Sequence, residues 1–436
     1  MILQDHRLPR PLFDAMAAGR GGAEAMNALA AAQHSKHMLL LAGVHEASRA
    51  AGPDQWRLAG RGYDLLADAQ QHDSAAADTV INYSSVGAWA AHTLRALVGR
   101  ATAPPHAEPA LMGAVAAAAA IRARLPAQIE VPVHHRAVML PSLGAAAAGG
   151  HSALVTITAA GAEVASATRR VEIPADPHRD APGWKGLRRL KAGSLDVLVD
   201  DLDPFRMPAL PDLADRMDAA EADAWTAAFV QAWPLLDRHH PAVAAEIAAA
   251  VKVIVPRDVP PRGVVSSSSP ETFGAVAMSP PSDGCGLAET LTHEVQHVKL
   301  SALIEVMPLT KPDDGRRFYA PWRDDPRPAS GLLQGAYAYL GVSGFWRRQR
   351  IREDGAARVR ADAEFERWRS ATTMATGMLT ASGSLTRVGA EFVQGMARTL
   401  ETWMAEPVPE QARVRARQEA ERHRQRWESV NGPVPA

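Results

Sequence analysis

The chain is poor in cysteine, in net charge and in long uninterrupted apolar runs, and each shortage removes a class of protein. Its 436 residues contain one cysteine, Cys285, which excludes an intramolecular disulfide framework and a multi-thiolate zinc site. With 47 basic against 48 acidic residues the formal net charge is −1, so no global field draws the chain to nucleic acid or to an anionic membrane. No apolar run reaches the roughly 18 residues of a membrane-spanning helix without a charge or a breaker. Met1 to Pro9 carries no basic-then-apolar signal pattern. The expectation is a cytoplasmic protein with no nucleic-acid or membrane partner. Aromatic residues are few, at 5%, yet 47% of the chain is hydrophobic, enough over this length for a sizeable core.

Hydrophobic periodicity predicts an α+β, mainly helical fold. Residues 10 to 125 read as an N-terminal helical bundle, including one helix over Ala75 to Val98. From Ile129 the period changes to two, as in Ile129-Glu130-Val131-Pro132-Val133 and Leu195-Asp196-Val197-Leu198-Val199, which predicts a small central β-sheet. Asp200-Asp201-Leu202-Asp203-Pro204-Phe205-Arg206 has the carboxylates of a cation site but no glycine-hinged ligand loop, so a turn is expected. Helices resume after Pro211, with Trp225, Phe229 and Trp233 spaced as core anchors, and a terminal helix is expected from Thr386 to about Arg426. The predicted organisation is a helical region over 1–126, a β-rich region over 127–208, and a mostly helical metal-binding catalytic region over 209–436.

The residues with the most chemistry are His293-Glu294-Val295-Gln296-His297. On a helix the two histidines sit about 40° apart around the axis, so both imidazoles can address one metal ion. Their frame supports this: a strand is expected over Phe273 to Met278 and a helix over Leu287 to Val306, with the histidines among Leu287, Leu291, Leu300 and Leu303. Glu289, one turn earlier, is a candidate acceptor for an imidazole N–H.

Two histidines rarely hold a catalytic metal alone. The glycine and third histidine that complete one class of zinc peptidase are absent from Val298-Lys299-Leu300-Ser301-Ala302-Leu303. Glu305 lies eight residues past His297, about 12 Å along a continuous helix, which makes it a weak third ligand. Gln334, in Gly331-Leu332-Leu333-Gln334-Gly335, is the better candidate. A lone amide among apolar neighbours is either hydrogen-bonded in the core or aimed at something polar, and its glycines would permit close approach to the metal helix. Arg323 and Arg327 lie in a stiff loop before it and can clamp a carboxylate or pair with Asp324 or Asp325.

Taken together, His293 to Leu303, Phe318 to Pro328 and Gly331 to Gly335, with Phe273 to Val276, Leu287 to Glu289, Leu8 to Asp14 and Leu385 to Val393, resemble the HExxH-motif peptide-modification family. The resemblance covers nearly the whole chain. Proteins of that family occur alone or fused to radical SAM/SPASM maturases. The resemblance implies an iron(II), 2-oxoglutarate-dependent dioxygenase that β-hydroxylates a side chain of a ribosomally synthesised precursor peptide, with a radical SAM maturase as a further partner. By carry-over His293 and His297 would be metal ligands. Relatives carry histidine where this chain has Gln334 and an acidic residue where it has Glu305, and a glutamine would be a weaker, neutral ligand. Arg323 or Arg327 would hold the distal carboxylate of 2-oxoglutarate, and Glu294 would orient a histidine or a water. The alternative is a zinc metallopeptidase trimming the precursor, with Glu294 as base toward a zinc-bound water. A second alternative is a non-catalytic peptide-binding partner of a maturase.

Overall fold

Alanine-rich runs punctuated by glycine and proline form the first helices of the computed structural model, which describes residues 6–102, 107–260, 263–281 and 283–434. They are α1 (Arg10–Ala17), α2 (Gly22–Ala47), α3 (Pro53–His72), α4 (Ser74–Ile81), α5 (Ser84–Leu97) and α6 (Met112–Ala123). Nine strands follow: β1 (Ala127–Pro132), β2 (Ala137–Leu140), β3 (Gly144–Ala147), β4 (Ser152–Thr158), β5 (Gly161–Ser166), β6 (Arg170–Ile173), β7 (Trp184–Gly186), β8 (Arg188–Ala192) and β9 (Leu195–Val199). Beyond them lie α7 (Ala219–His239), α8 (Pro241–Ala250), β10 (Val253–Pro256), β11 (Ser266–Ser267), β12 (Ala275–Met278) and α9 (Gly284–Val306). The chain ends with α10 (Ala329–Gln349), α11 (Gly355–Ala381), α12 (Arg387–Met404) and α13 (Glu410–Asn431). The fold is α+β and mainly helical. Among the described residues, no helix is long and apolar enough to cross a membrane.

The chain forms two compact units. The first comprises Ala31–Thr226 and Val251–Pro280; the second comprises Asp5–Ala30, Ala227–Ala250 and Pro281–Ala436. These units differ from the three stretches expected from the sequence. The reason is strand pairing: Val253-Ile254-Val255 is buried without alternation, as a strand covered on both faces must be, and it pairs in parallel with both β9 and β12. The strands β10, β11 and β12 therefore belong with the sheets rather than with the helices that follow.

In the first unit α6 is buried on nearly every face, which its run of alanines allows. A Cβ on Gly62 of α3 would lie 2.6 Å from the Met112 carbonyl carbon, and one on Gly113 would lie 2.8 Å from the Glu130 carbonyl oxygen of β1. Both glycines are thus required for close packing of α3, α6 and β1. In place of one small sheet there are three: β1-β4-β5-β6, β2-β3-β7, and β11-β12-β10-β9-β8. The helix expected over Ala75 to Val98 is two helices. His37 Nδ1 donates to the Ile81 carbonyl at 2.7 Å, and the Tyr83 hydroxyl donates to Asp200 at 2.7 Å, which holds the chain out of helical geometry between them.

The acidic turn after β9 is present. Asp200 accepts from the backbone N–H groups of Leu202 and Asp203, and Asp203 accepts from Phe205 N–H and from the Ser85 hydroxyl at 2.6 Å. Burial, with the negative charge of Asp200 beside it, pushes the Asp203 carboxyl up from 3.8 to about 7. Because the folded state holds that proton more tightly than the unfolded state, this carboxyl makes wild-type stability fall as pH rises from about 4 to about 7. Asp203→Asn is expected to flatten that part of the profile, read by urea unfolding at several pH values. An unchanged slope would remove Asp203 as its source.

In the second unit α9 packs against α10 and α10 against α11, while α12 and α13 also pack on α11. Phe229 and Trp233 of α7 are buried, and so is Trp225 on the part of α7 that belongs to the first unit, as their spacing predicts. The single terminal helix expected after Thr386 is divided into α12 and α13. Pro407 and Pro409 lie in the break, and neither can supply the backbone N–H that a continuous helix needs. The charged α13 still buries Ala412, Ala416, His423 and Trp427 on one side.

Candidate metal centre

Helix α9 starts at Asp283, whose side chain accepts from Gly286 N–H at 2.8 Å, and it runs unbroken through the histidine pair. Its buried residues fall on several faces, so this is an interior helix and not an exposed one with a polar stripe. The two imidazoles face one another: His293 Nε2 and His297 Nε2 are 3.1 Å apart, with ring centroids at 4.7 Å and planes at 73°.

That separation suits two donors of one ion. Ligand nitrogens at roughly 2.1 Å from a metal lie about 3.0 Å apart at a right angle and about 3.4 Å apart at the tetrahedral angle. It also suits a single N–H···N hydrogen bond between neutral rings. Burial, then the neighbouring His297, push the His293 pKa well below its usual value, so His293 is neutral at pH 7, the form a metal requires.

Gln334 sits on the other edge of His297. His297 Nδ1 donates to Gln334 Oε1 at 3.1 Å, and Gln334 Nε2 donates to Ser301 Oγ at 3.2 Å. With Nδ1 carrying the proton, the His297 lone pair is on Nε2, the atom turned toward His293. The amide expected as a third ligand is thereby placed at Nδ1, away from the Nε2 edge, where it orients the ring. Gln334→Ala is expected to lower metal affinity roughly 10–100-fold without abolishing it. Calorimetric titration with cobalt(II) measures this; complete loss of binding would instead make the amide a ligand.

Other expected contributors are elsewhere. Glu305 is exposed in the last turn of the same unbroken helix. Glu289 does not serve a histidine through Oε1, which accepts from the Trp346 indole N–H at 2.8 Å; burial pushes the Glu289 carboxyl up to about 7. Glu294 is only 1% exposed. Arg323 and Arg327 share one carboxylate, donating to Asp325 Oδ1 and Oδ2 at 2.9 Å each. Burial raises the Asp325 carboxyl, but the hydrogen bonds from Arg327 and Arg323 outweigh it and hold its pKa below the usual range. Among the described residues, no group of three or more His, Cys, Asp or Glu side chains is arranged to hold a metal.

The glycines of α10 act differently from the expectation. Gly331 faces the Arg327 guanidinium, and a Cβ on Gly335 would lie 2.2 Å from Trp322 Nε1. It is Gly341 that admits α9, with its Cβ position 2.6 Å from Gln296 Cγ.

Sequence reasoning missed the aromatic wall beside the histidines. Tyr339 meets the His293 ring edge-on at 5.0 Å and lies 4.9 Å from Trp322 and 4.1 Å from Trp368. The signal was present: Tyr339 is on the helix that carries Gln334, and Trp322 opens the arginine loop. No protein-family model matches the chain, and no curated protein matches it in sequence.

Proposed function

We propose that His293 and His297 bind a divalent metal and that the chain is an iron(II), 2-oxoglutarate-dependent hydroxylase of a side chain in a ribosomally synthesised precursor peptide. The observation carrying the metal reading is the facing Nε2 pair at 3.1 Å, with the opposite edge of His297 engaged by Gln334. That spacing suits two donors to one divalent ion. The two imidazoles would hold the metal, and a 2-keto acid would bind beside them through its carboxylate and ketone oxygens. When bound, such a metal supplies activation of dioxygen for hydroxylation of a C–H bond.

The chain's own residues orient and enclose. Gln334 fixes the ring and tautomer of His297, and Tyr339, Trp322 and Trp368 form an apolar wall that limits water beside His293. The peptide substrate, and a maturase from the same cluster as a partner, rest on the resemblance of the motif, the arginine loop and the Gln334 helix.

Two measurements test this reading. Adding iron(II) and 2-oxoglutarate without oxygen is expected to produce the visible charge-transfer band of an iron–keto-acid chelate. With oxygen and the precursor peptide encoded beside the gene, the peptide is expected to gain one oxygen atom with its backbone intact. Zinc-dependent cleavage indifferent to 2-oxoglutarate would establish the peptidase instead.

A further inference from the structure

The first unit contains a cavity of about 790 Å³, near the upper end of the roughly 300–1,000 Å³ usual for small-molecule sites. Its floor is one face of the β2-β3-β7 sheet. Val138, Leu140 and Ala146 turn to the core, and the alternate residues Ala137, Met139, Ala145, Ala147 and Lys185 line the cavity, with Trp184 at its edge. Three of those five are alanines where a strand commonly carries bulky side chains, and the missing volume is the cavity. Val86, Trp89 and Phe205 add to its apolar lining.

The polar groups of the cavity have one sign to spare. Both carboxylates that line it are engaged by the protein: Asp203 by Ser85 and Phe205 N–H, and Asp180 by Arg216 and Gly186 N–H. Arg136, Arg169 and Lys185 are exposed lining residues, and none forms an ion pair among the described residues. Arg206 also lines the cavity. Its two terminal nitrogens donate to the Asp203 and Ala214 carbonyls, so its guanidinium is held by the acidic turn.

A third observation is backbone strain at the rim. His134 and Ala137 exchange both backbone hydrogen bonds at 2.9 Å, closing a two-residue turn with His135 at φ 48° and Arg136 at φ 63°. Such a turn favours asparagine followed by glycine. The chain instead carries histidine and arginine there, which puts a cation on the cavity rim at a conformational cost.

We propose that this cavity binds an organic anion with an apolar body, its carboxylate held by the rim cations Arg136, Arg169 and Lys185. The apolar part lies on the alanine floor. The anion comes either from a small organic acid or from an acidic, apolar stretch of peptide.

Calorimetry on the full chain tests the proposal, using decanoate against decyltrimethylammonium, which has the same tail and the opposite charge. Decanoate is expected to bind and the ammonium ion to bind at least about tenfold more weakly. Arg169→Glu combined with Lys185→Glu is expected to weaken decanoate by a similar factor and to leave thermal stability unchanged. His135→Asn with Arg136→Gly is expected to raise Tm by a few degrees while weakening decanoate, a pairing that a purely structural turn would not produce. A leucine–glutamate hexapeptide that displaces decanoate assigns the anion to a peptide; failure to displace assigns it to a small acid, and either supports the site. Equal binding of the two decyl probes, or decanoate affinity unchanged in both double variants, overturns it.

Discussion

Replacing His293 or His297 by alanine is expected to abolish metal loading and, with it, any hydroxylation. Each supplies one of the two facing Nε2 atoms, and no third His, Cys, Asp or Glu donor stands beside them among the described residues. A single remaining imidazole cannot chelate. The loss should therefore exceed the roughly 10–100-fold drop that removal of a supporting partner causes. Elemental analysis of protein incubated with iron(II) without oxygen, then desalted, reads this directly. Circular dichroism establishes that the variants stay folded. Full metal occupancy in either variant would place the binding site elsewhere. The cobalt(II) form adds a geometric check, because six-coordinate cobalt(II) absorbs weakly in the visible and tetrahedral cobalt(II) strongly.

The largest stability effect is expected at Lys299, two residues past the motif. Its side chain is fully buried and its Nζ lies 2.7 Å from Glu246 Oε2, itself 2% exposed. Nζ also donates to the Arg20 carbonyl at 3.3 Å, and Glu246 Oε1 accepts from Gly22 N–H at 2.9 Å. Burial lowers the Lys299 pKa, and Glu246 opposes that shift as its counter-ion. Lys299→Ala leaves the Glu246 carboxylate buried without its cation. The expected destabilisation is about 3–5 kcal/mol in urea unfolding. Lys299→Met with Glu246→Gln removes both charges, keeps most of the volume and leaves an acceptor for Gly22. It should unfold much closer to the wild type. A double variant as unstable as Lys299→Ala would show that shape, not charge, dominates. Since α9 carries both Lys299 and the histidines, this pair also sets how firmly the histidine helix is seated.

Much of the helical part of the fold was legible because helix signals are local. The expected helix over Leu287 to Val306 corresponds to α9, extended by three residues to a cap at Asp283. Where expectation and structure differ, a contact distant in sequence decides. Asp200 and His37 hold the segment that separates α4 from α5, and neither could be chosen from residues 75 to 98 alone. Likewise Ala162 to Ser166 alternates too weakly to announce β5, yet it pairs residue by residue with β4 and β6. Cross-strand partners supply what its own sequence lacks.

The sequence by itself determined the mainly helical class and the histidine pair, since four-residue spacing on a helix fixes two imidazoles on one face whatever surrounds them. It also determined that no cysteine framework supports the fold. Only the tertiary structure decided the side of His297 on which Gln334 stands, because that depends on how α10 lies against α9. Only it decided that Arg323 and Arg327 share Asp325, that Glu246 answers Lys299 from 53 residues away, and that three alanines on two paired strands face one cavity. Spacing along a chain sets directions within one element. The distance between elements is set by packing, through residues such as Gly335 and Gly341 whose missing side chains let a neighbour approach.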